Sequence, residues 1–231
     1  MIKDQEFLLN GSIGRLQVRL FQGNDVSKPA ALILHPNPLL GGTMNNVIVY
    51  DIYKTLANLD ISVLRLNFRS IDKSQGFFDN GKGEIIDSAK ALDFLIDKQN
   101  SATCMIIIGY GFGAHIALQL AMRRPEIGIF IFIAGAIRSF DYNFLTLCPS
   151  PGLLIQGSND NISDPRLARE LYYKLKQKNQ KVVYQEIEGA THSFANYRKH
   201  LKQIINTYIQ KCSFKKKSTM KKTRKQRKKL F

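Results

Sequence analysis

From residue 30 onward, short runs of consecutive apolar residues alternate with longer stretches whose apolar positions recur every three or four residues. The runs 30–35 (AALILH), 62–68 (SVLRLNF), 103–109 (TCMIIIG), 128–135 (GIFIFIAG), 152–157 (GLLIQG) and 181–189 (KVVYQEIEG) have strand length and β-branched content. Helical spacing fills the gaps at 44–58, 83–98, 112–123, 164–178 and 193–209. The isoleucine-rich runs do not alternate with polar residues, which predicts strands buried on both faces, as in a parallel sheet. Upstream, 6–11 and 14–23 read as two short strands joined by a glycine-containing turn. The expectation is an α/β domain with an eight-stranded, mostly parallel sheet and helices on both faces. Little chain, 136–151, separates the sixth strand from the seventh, so no lid domain is expected there.

Composition changes this picture at one end only. The chain has 231 residues and a formal net charge of +16. Residues 211–231 hold eleven Lys or Arg and no acid, which leaves +5 for residues 1–210. We therefore expect one domain over 1–210 and a disordered basic tail over 211–231, whose charge repels itself too strongly to fold alone. Such a tail suits nucleic acid or an anionic lipid surface. With only Phe214 and Phe231 available for stacking, base-specific recognition is not expected. The N-terminus lacks the apolar core of a signal peptide, and the apolar run 127–137 is short of the roughly 20 residues that span a bilayer. The three cysteines, Cys104, Cys148 and Cys212, are scattered, which argues against a disulfide framework or a zinc site. A cytoplasmic location is the expectation from these features.

The segment 105–124 (MIIIGYGFGAHIALQLAMRR) reads as strand, sharp turn and helix. Its turn, Gly109-Tyr110-Gly111-Phe112-Gly113, matches the G-x-S-x-G nucleophile elbow with glycine in place of serine. The same residues, with Ala114, also match the dinucleotide fingerprint G-x-G-x-x-G/A. That fingerprint requires an acid about 20 residues on, at the end of the next strand. The next strand ends in Phe132-Ile133-Ala134-Gly135, and Asp141 lies beyond it, so no nucleotide cofactor is expected. A plain strand–helix turn that needs glycines is the remaining alternative. What favours the elbow is its company. Asp160 follows the strand 152–157 and His192 follows the last strand, so nucleophile position, acid and histidine occur in the order of an elbow-type triad. The C-terminal ends of parallel strands converge on one edge of the sheet, where such sites form.

The stretches His35-Pro36-Asn37-Pro38-Leu39-Leu40-Gly41-Gly42-Thr43-Met44-Asn45-Asn46 and Leu66-Asn67-Phe68-Arg69 carry a family resemblance, together with 78–81, Gly83-Glu84 and the 109–114 elbow. From about residue 5 to 205 the chain resembles small, lidless bacterial α/β-hydrolases of the dienelactone-hydrolase-like and serine-aminopeptidase-like type. That resemblance implies the α/β-hydrolase fold and an ester or acyl hydrolase ancestry. It also implies an oxyanion hole built from the backbone N–H groups of Asn37 and Phe112, which would hold the charge that develops on an attacked carbonyl. His35 is either part of that loop's function or a strand-end packing residue. Two departures from the family pattern fall near Gly111: Ser70 and Asp72 stand where glycines are usual. If those positions have positive φ, each replacement costs on the order of 1 kcal/mol.

No other residue offers itself as nucleophile, since Ser139 and Ser193 are loop serines and Cys104 and Cys148 lie off the elbow. With Asp160 and His192 retained, the chain is expected to have weak or no serine-hydrolase activity toward a small ester or acyl substrate, without cofactor or metal. The alternative is a non-catalytic hydrolase-like binding protein whose tail contacts nucleic acid or anionic membrane.

Overall fold

A computed structural model describes residues 4–140, 142, 145 and 150–212. Strands β1 (Gln5–Asn10), β2 (Arg15–Phe21), β3 (Ala30–Leu34), β4 (Ser62–Leu66), β5 (Met105–Tyr110), β6 (Ile127–Ile133), β7 (Gly152–Gly157) and β8 (Val182–Ile187) form one sheet, in the order β1-β2-β4-β3-β5-β6-β7-β8. The pairs β1/β2 and β2/β4 are antiparallel, and every pair from β4 through β3, β5, β6 and β7 to β8 is parallel. β3, β4, β5 and β7 are buried at every residue, as their unbroken apolar runs require. The outer strands β1 and β8 alternate instead, because only one face is covered there.

Among the described residues, five helices cover the two faces. α2 (Lys82–Lys98), α3 (Phe112–Arg123) and α4 (Pro165–Lys178) pack on one, with Leu92, Leu95, Ile116, Leu120, Leu171 and Leu175 in a single core. α1 (Val47–Asn58) and α5 (Arg198–Lys211) close the other through Ile48, Ile52, Leu56, Leu201, Ile205 and Ile209. α3 is buried from Phe112 to Ala121, which fits its place over the central strands β3, β5 and β6.

Two helices begin three or more residues later than their spacing predicts. The Asn46 side chain accepts the Ile48 N–H at 2.9 Å, so α1 starts at Val47 rather than 44. Phe194, buried at φ 52°, breaks the backbone before α5, and a short 3-10 turn (Ala195–Tyr197) intervenes. α5 reaches Lys211, one residue past the expected end of the domain, and the expected tail from 213 onward lies outside the described residues. No helix among the described residues is long and apolar enough to cross a membrane.

Candidate active site

The corner between β5 and α3 is made by close backbone approach. A Cβ on Gly113 would sit 2.4 Å from the Leu34 carbonyl oxygen, and one on Gly109 would sit 2.1 Å from the Gly113 oxygen. Helix and strands can therefore meet only if both positions are glycine. Between them Gly111 adopts φ 58° and ψ −118°, its N–H donating to the Ile133 carbonyl at 2.9 Å. A Cβ at 111 would lie 3.3 Å from Pro36 Cβ and 3.9 Å from His192 Nε2. The position predicted as the elbow thus faces the predicted histidine.

His192 and Asp160 are joined. His192 Nδ1 donates to Asp160 Oδ2 at 2.9 Å, and the carboxylate is fully buried. Burial pushes the Asp160 carboxyl upward, but hydrogen bonds from His192, Ser163 N–H (2.7 Å) and Ile162 N–H (2.9 Å) outweigh it and hold it below its ordinary value. The acid and histidine loops are also tied through their backbones. Asn159 N–H donates to Ala190 O at 2.9 Å, and Ser158 Oγ accepts the Gly189 N–H at 2.8 Å.

The loop after β3 closes the third side. His35 is completely buried; its Nε2 accepts the Phe68 N–H at 2.9 Å, so the proton is on Nδ1, which donates to the Pro36 carbonyl at 2.7 Å. Burial drives its pKa down to about 3, a drop that the Pro36 hydrogen bond offsets only in part. His35 is thus a neutral strut between the ends of β3 and β4, which answers the alternative left open by the sequence in favour of packing. The Asn37 carbonyl accepts from Leu40 and Gly42, and its side chain accepts the Leu39 N–H at 2.9 Å. These bonds occupy the carbonyl and side-chain oxygens of Asn37, and its backbone N–H takes no part in the turn. Phe112 is the first residue of α3, so its N–H has no acceptor within the helix.

Residues that the sequence did not single out complete the arrangement. Gln156 Nε2 donates to Asp160 Oδ2 at 2.9 Å and to the Ser163 carbonyl at 2.8 Å. Tyr110 touches His192 from beneath. Gln156 belongs to no motif and Tyr110 fills an unspecified position of the elbow; both lie in unbroken apolar strands, where the sequence gives them only as core. Asp160 also borders an open groove of about 640 Å³, lined further by Arg138, Asn159, Asn161, Arg166 and Thr191. The other nucleophile candidates stand apart. Ser139 is in a 3-10 turn after β6, Ser193 Oγ pairs with Thr191 Oγ1 at 3.3 Å, and Cys104 precedes β5 at the opposite end of that strand. Cys148 lies outside the described residues. Among the described residues no three His, Cys, Asp or Glu are grouped to hold a metal.

Sheet order, the strained corner and the acid–histidine pair together define an α/β hydrolase without a lid. Residues 47–228 match the dienelactone hydrolase family, and the chain belongs to it. An uncharacterized protein of Rickettsia prowazekii is 41% identical over 209 residues, 88% of each chain. The crystal structure of a protein of unknown function from Agrobacterium tumefaciens is 40% identical with a TM-score of 0.85, over 89% of this chain and 95% of that one. A Xanthomonas campestris member of the α/β serine hydrolases without a lid is 27% identical with a TM-score of 0.81, over 90% and 94% of the two chains.

Proposed function

We propose that this chain is an ester or acyl hydrolase-family protein that has kept its acid–base pair and oxyanion donors but has no covalent nucleophile. The observation that carries this reading is the 3.9 Å between a Cβ built at 111 and His192 Nε2. A serine Oγ on that Cβ would come within hydrogen-bonding reach of the imidazole. Glycine offers no such atom. In this reading the N–H groups of Asn37 and Phe112 would receive the carbonyl oxygen of a small acyl compound. Any turnover would run through water, with His192 taking the proton and Asp160 orienting the ring. Loss of the nucleophile of a Ser-His-Asp triad lowers kcat by about 10⁶, roughly 8 kcal/mol, and leaves about 10³–10⁴ over the uncatalysed rate. We therefore expect activity that is weak or absent.

The test compares the natural chain with Gly111→Ser on short p-nitrophenyl esters and a fluorophosphonate probe. Labelling and turnover should appear in the serine form and vanish when His192→Ala is added. A serine form that is folded, unlabelled and inactive would overturn the reading.

A second reading, a non-catalytic binding protein, is favoured by the eleven basic residues and no acid in 211–231. There the tail holds a polyanionic surface, nucleic acid or anionic lipid, by counterion release.

A further inference from the structure

We propose that Tyr110 is a positioning residue for His192, fixing the imidazole so that Nε2 stays turned toward position 111. The inference deepens the reading above and rests on it for its kinetic arm. Tyr110 ends β5 and is 5% exposed. Its hydroxyl donates to the His192 carbonyl at 3.0 Å, and its ring stacks on the imidazole with centroids 5.3 Å apart and planes 28° from parallel. One side chain therefore holds this histidine at two points, main chain and ring.

His192 needs such support because of where it is. It belongs to the irregular stretch between β8 and α5, closed by a hydrogen bond from Phe194 N to Thr191 O at 3.1 Å. A single hydrogen bond from Nδ1 to Asp160 fixes one point of the ring and leaves it free to swing about that contact. The phenol face blocks the swing, and the hydroxyl anchors the backbone from which the ring projects. Burial, and secondarily the charge of Asp160, push the phenol well above its ordinary pKa. It thus remains a donor, as its carbonyl partner requires, and takes no proton from the histidine.

The test uses Tyr110→Phe, which keeps the ring, and Tyr110→Leu, which keeps neither ring nor hydroxyl. In the natural chain, proton NMR should show a protected low-field Nδ1–H of His192, assigned by its loss in His192→Ala. We expect it to broaden in the Phe variant and disappear in the Leu variant. In the Gly111→Ser background kcat on p-nitrophenyl acetate should fall about tenfold in the Phe variant. The Leu variant should fall on the order of 10²-fold, with KM unchanged in both. A purely structural role would lower Tm and leave the resonance and kcat of the folded fraction intact, and that result overturns the proposal. If the Leu variant does not fold, the Phe variant decides. If Gly111→Ser is itself inert, the hydrolase reading of the site falls, and the resonance alone decides the role of Tyr110.

Discussion

Gly111 holds φ 58° and ψ −118°, a corner that costs an L side chain about 1–3 kcal/mol. Pro36 Cβ, 3.3 Å from where a Cβ would be, adds a tight contact. Gly111→Ala and Gly111→Ser should therefore lose stability by similar amounts, about 1–3 kcal/mol by urea unfolding, while only the serine form takes the probe. Alanine separates the strain of the corner from its chemistry. His35 makes a prediction of its own. Its ordinary pKa is 6.5 and its folded one about 3, so between these values the unfolded chain holds a proton that the folded chain does not. Stability then falls as pH drops from about 6.5 toward 3, by up to about 1.4 kcal/mol per pH unit. Urea unfolding between pH 6.5 and 4.5, where carboxylates remain largely charged, should show a flatter slope in His35→Gln. Equal slopes would remove His35 as the source. Asp160 and His192 were legible because order along the chain and strand ends place them. Tyr110 was not, since its partner is 82 residues away and the contact depends on which way one strand end faces.

Among the elements, the loop from β4 to α2 shows how a family pattern is bent. Ser70 and Asp72, where the resemblance implies glycines, do have positive φ, 70° and 47°. They differ in compensation. Asp72 Oδ2 accepts the Asn67 Nδ2–H at 2.7 Å, and Asn67 also binds Gln17 and the Met44 N–H, so the acid is tied into the loop beside β3. Ser70→Gly should therefore gain up to about 1 kcal/mol in thermal or urea unfolding. Asp72→Gly should gain nothing or lose stability, because its relief of strain is offset by the lost hydrogen bond. A larger gain for Asp72→Gly than for Ser70→Gly would contradict this. Strands and helices themselves were legible, because burial on both faces leaves unbroken apolar runs and the helices other than the central α3 each bury one stripe. Helix starts were less so: Asn46 capping and the left-handed Phe194 are local backbone events that periodicity does not register.

At the scale of the molecule, positive charge is concentrated at one end of the sequence. The family match runs over residues 47–228, and eleven of the chain's 34 Lys and Arg fall in its last 21 residues. A chain ended at residue 212 keeps the whole of α5. It should elute from an RNA or anionic-lipid column at much lower salt than the full chain, and its midpoint of unfolding should be unchanged. Equal retention of the two would show that the tail binds no such surface. The meeting of the loops after β3, β7 and β8 with the β5–α3 corner at one edge follows from the parallel pairing of those strands, which is why the sequence assigns the candidate residues to one edge without giving their distances.

The glycine at 111 also bears on time. A serine at a nucleophile elbow is acylated and must be freed by water, so its occupancy is set by the ratio of two reaction rates. Gly111 has no atom to acylate. Whatever enters beside His192 and is not cleaved leaves as it came, and how often the space is filled tracks the free concentration of that compound. Under the proposed function, such a site reports abundance where an elbow bearing serine reports flux.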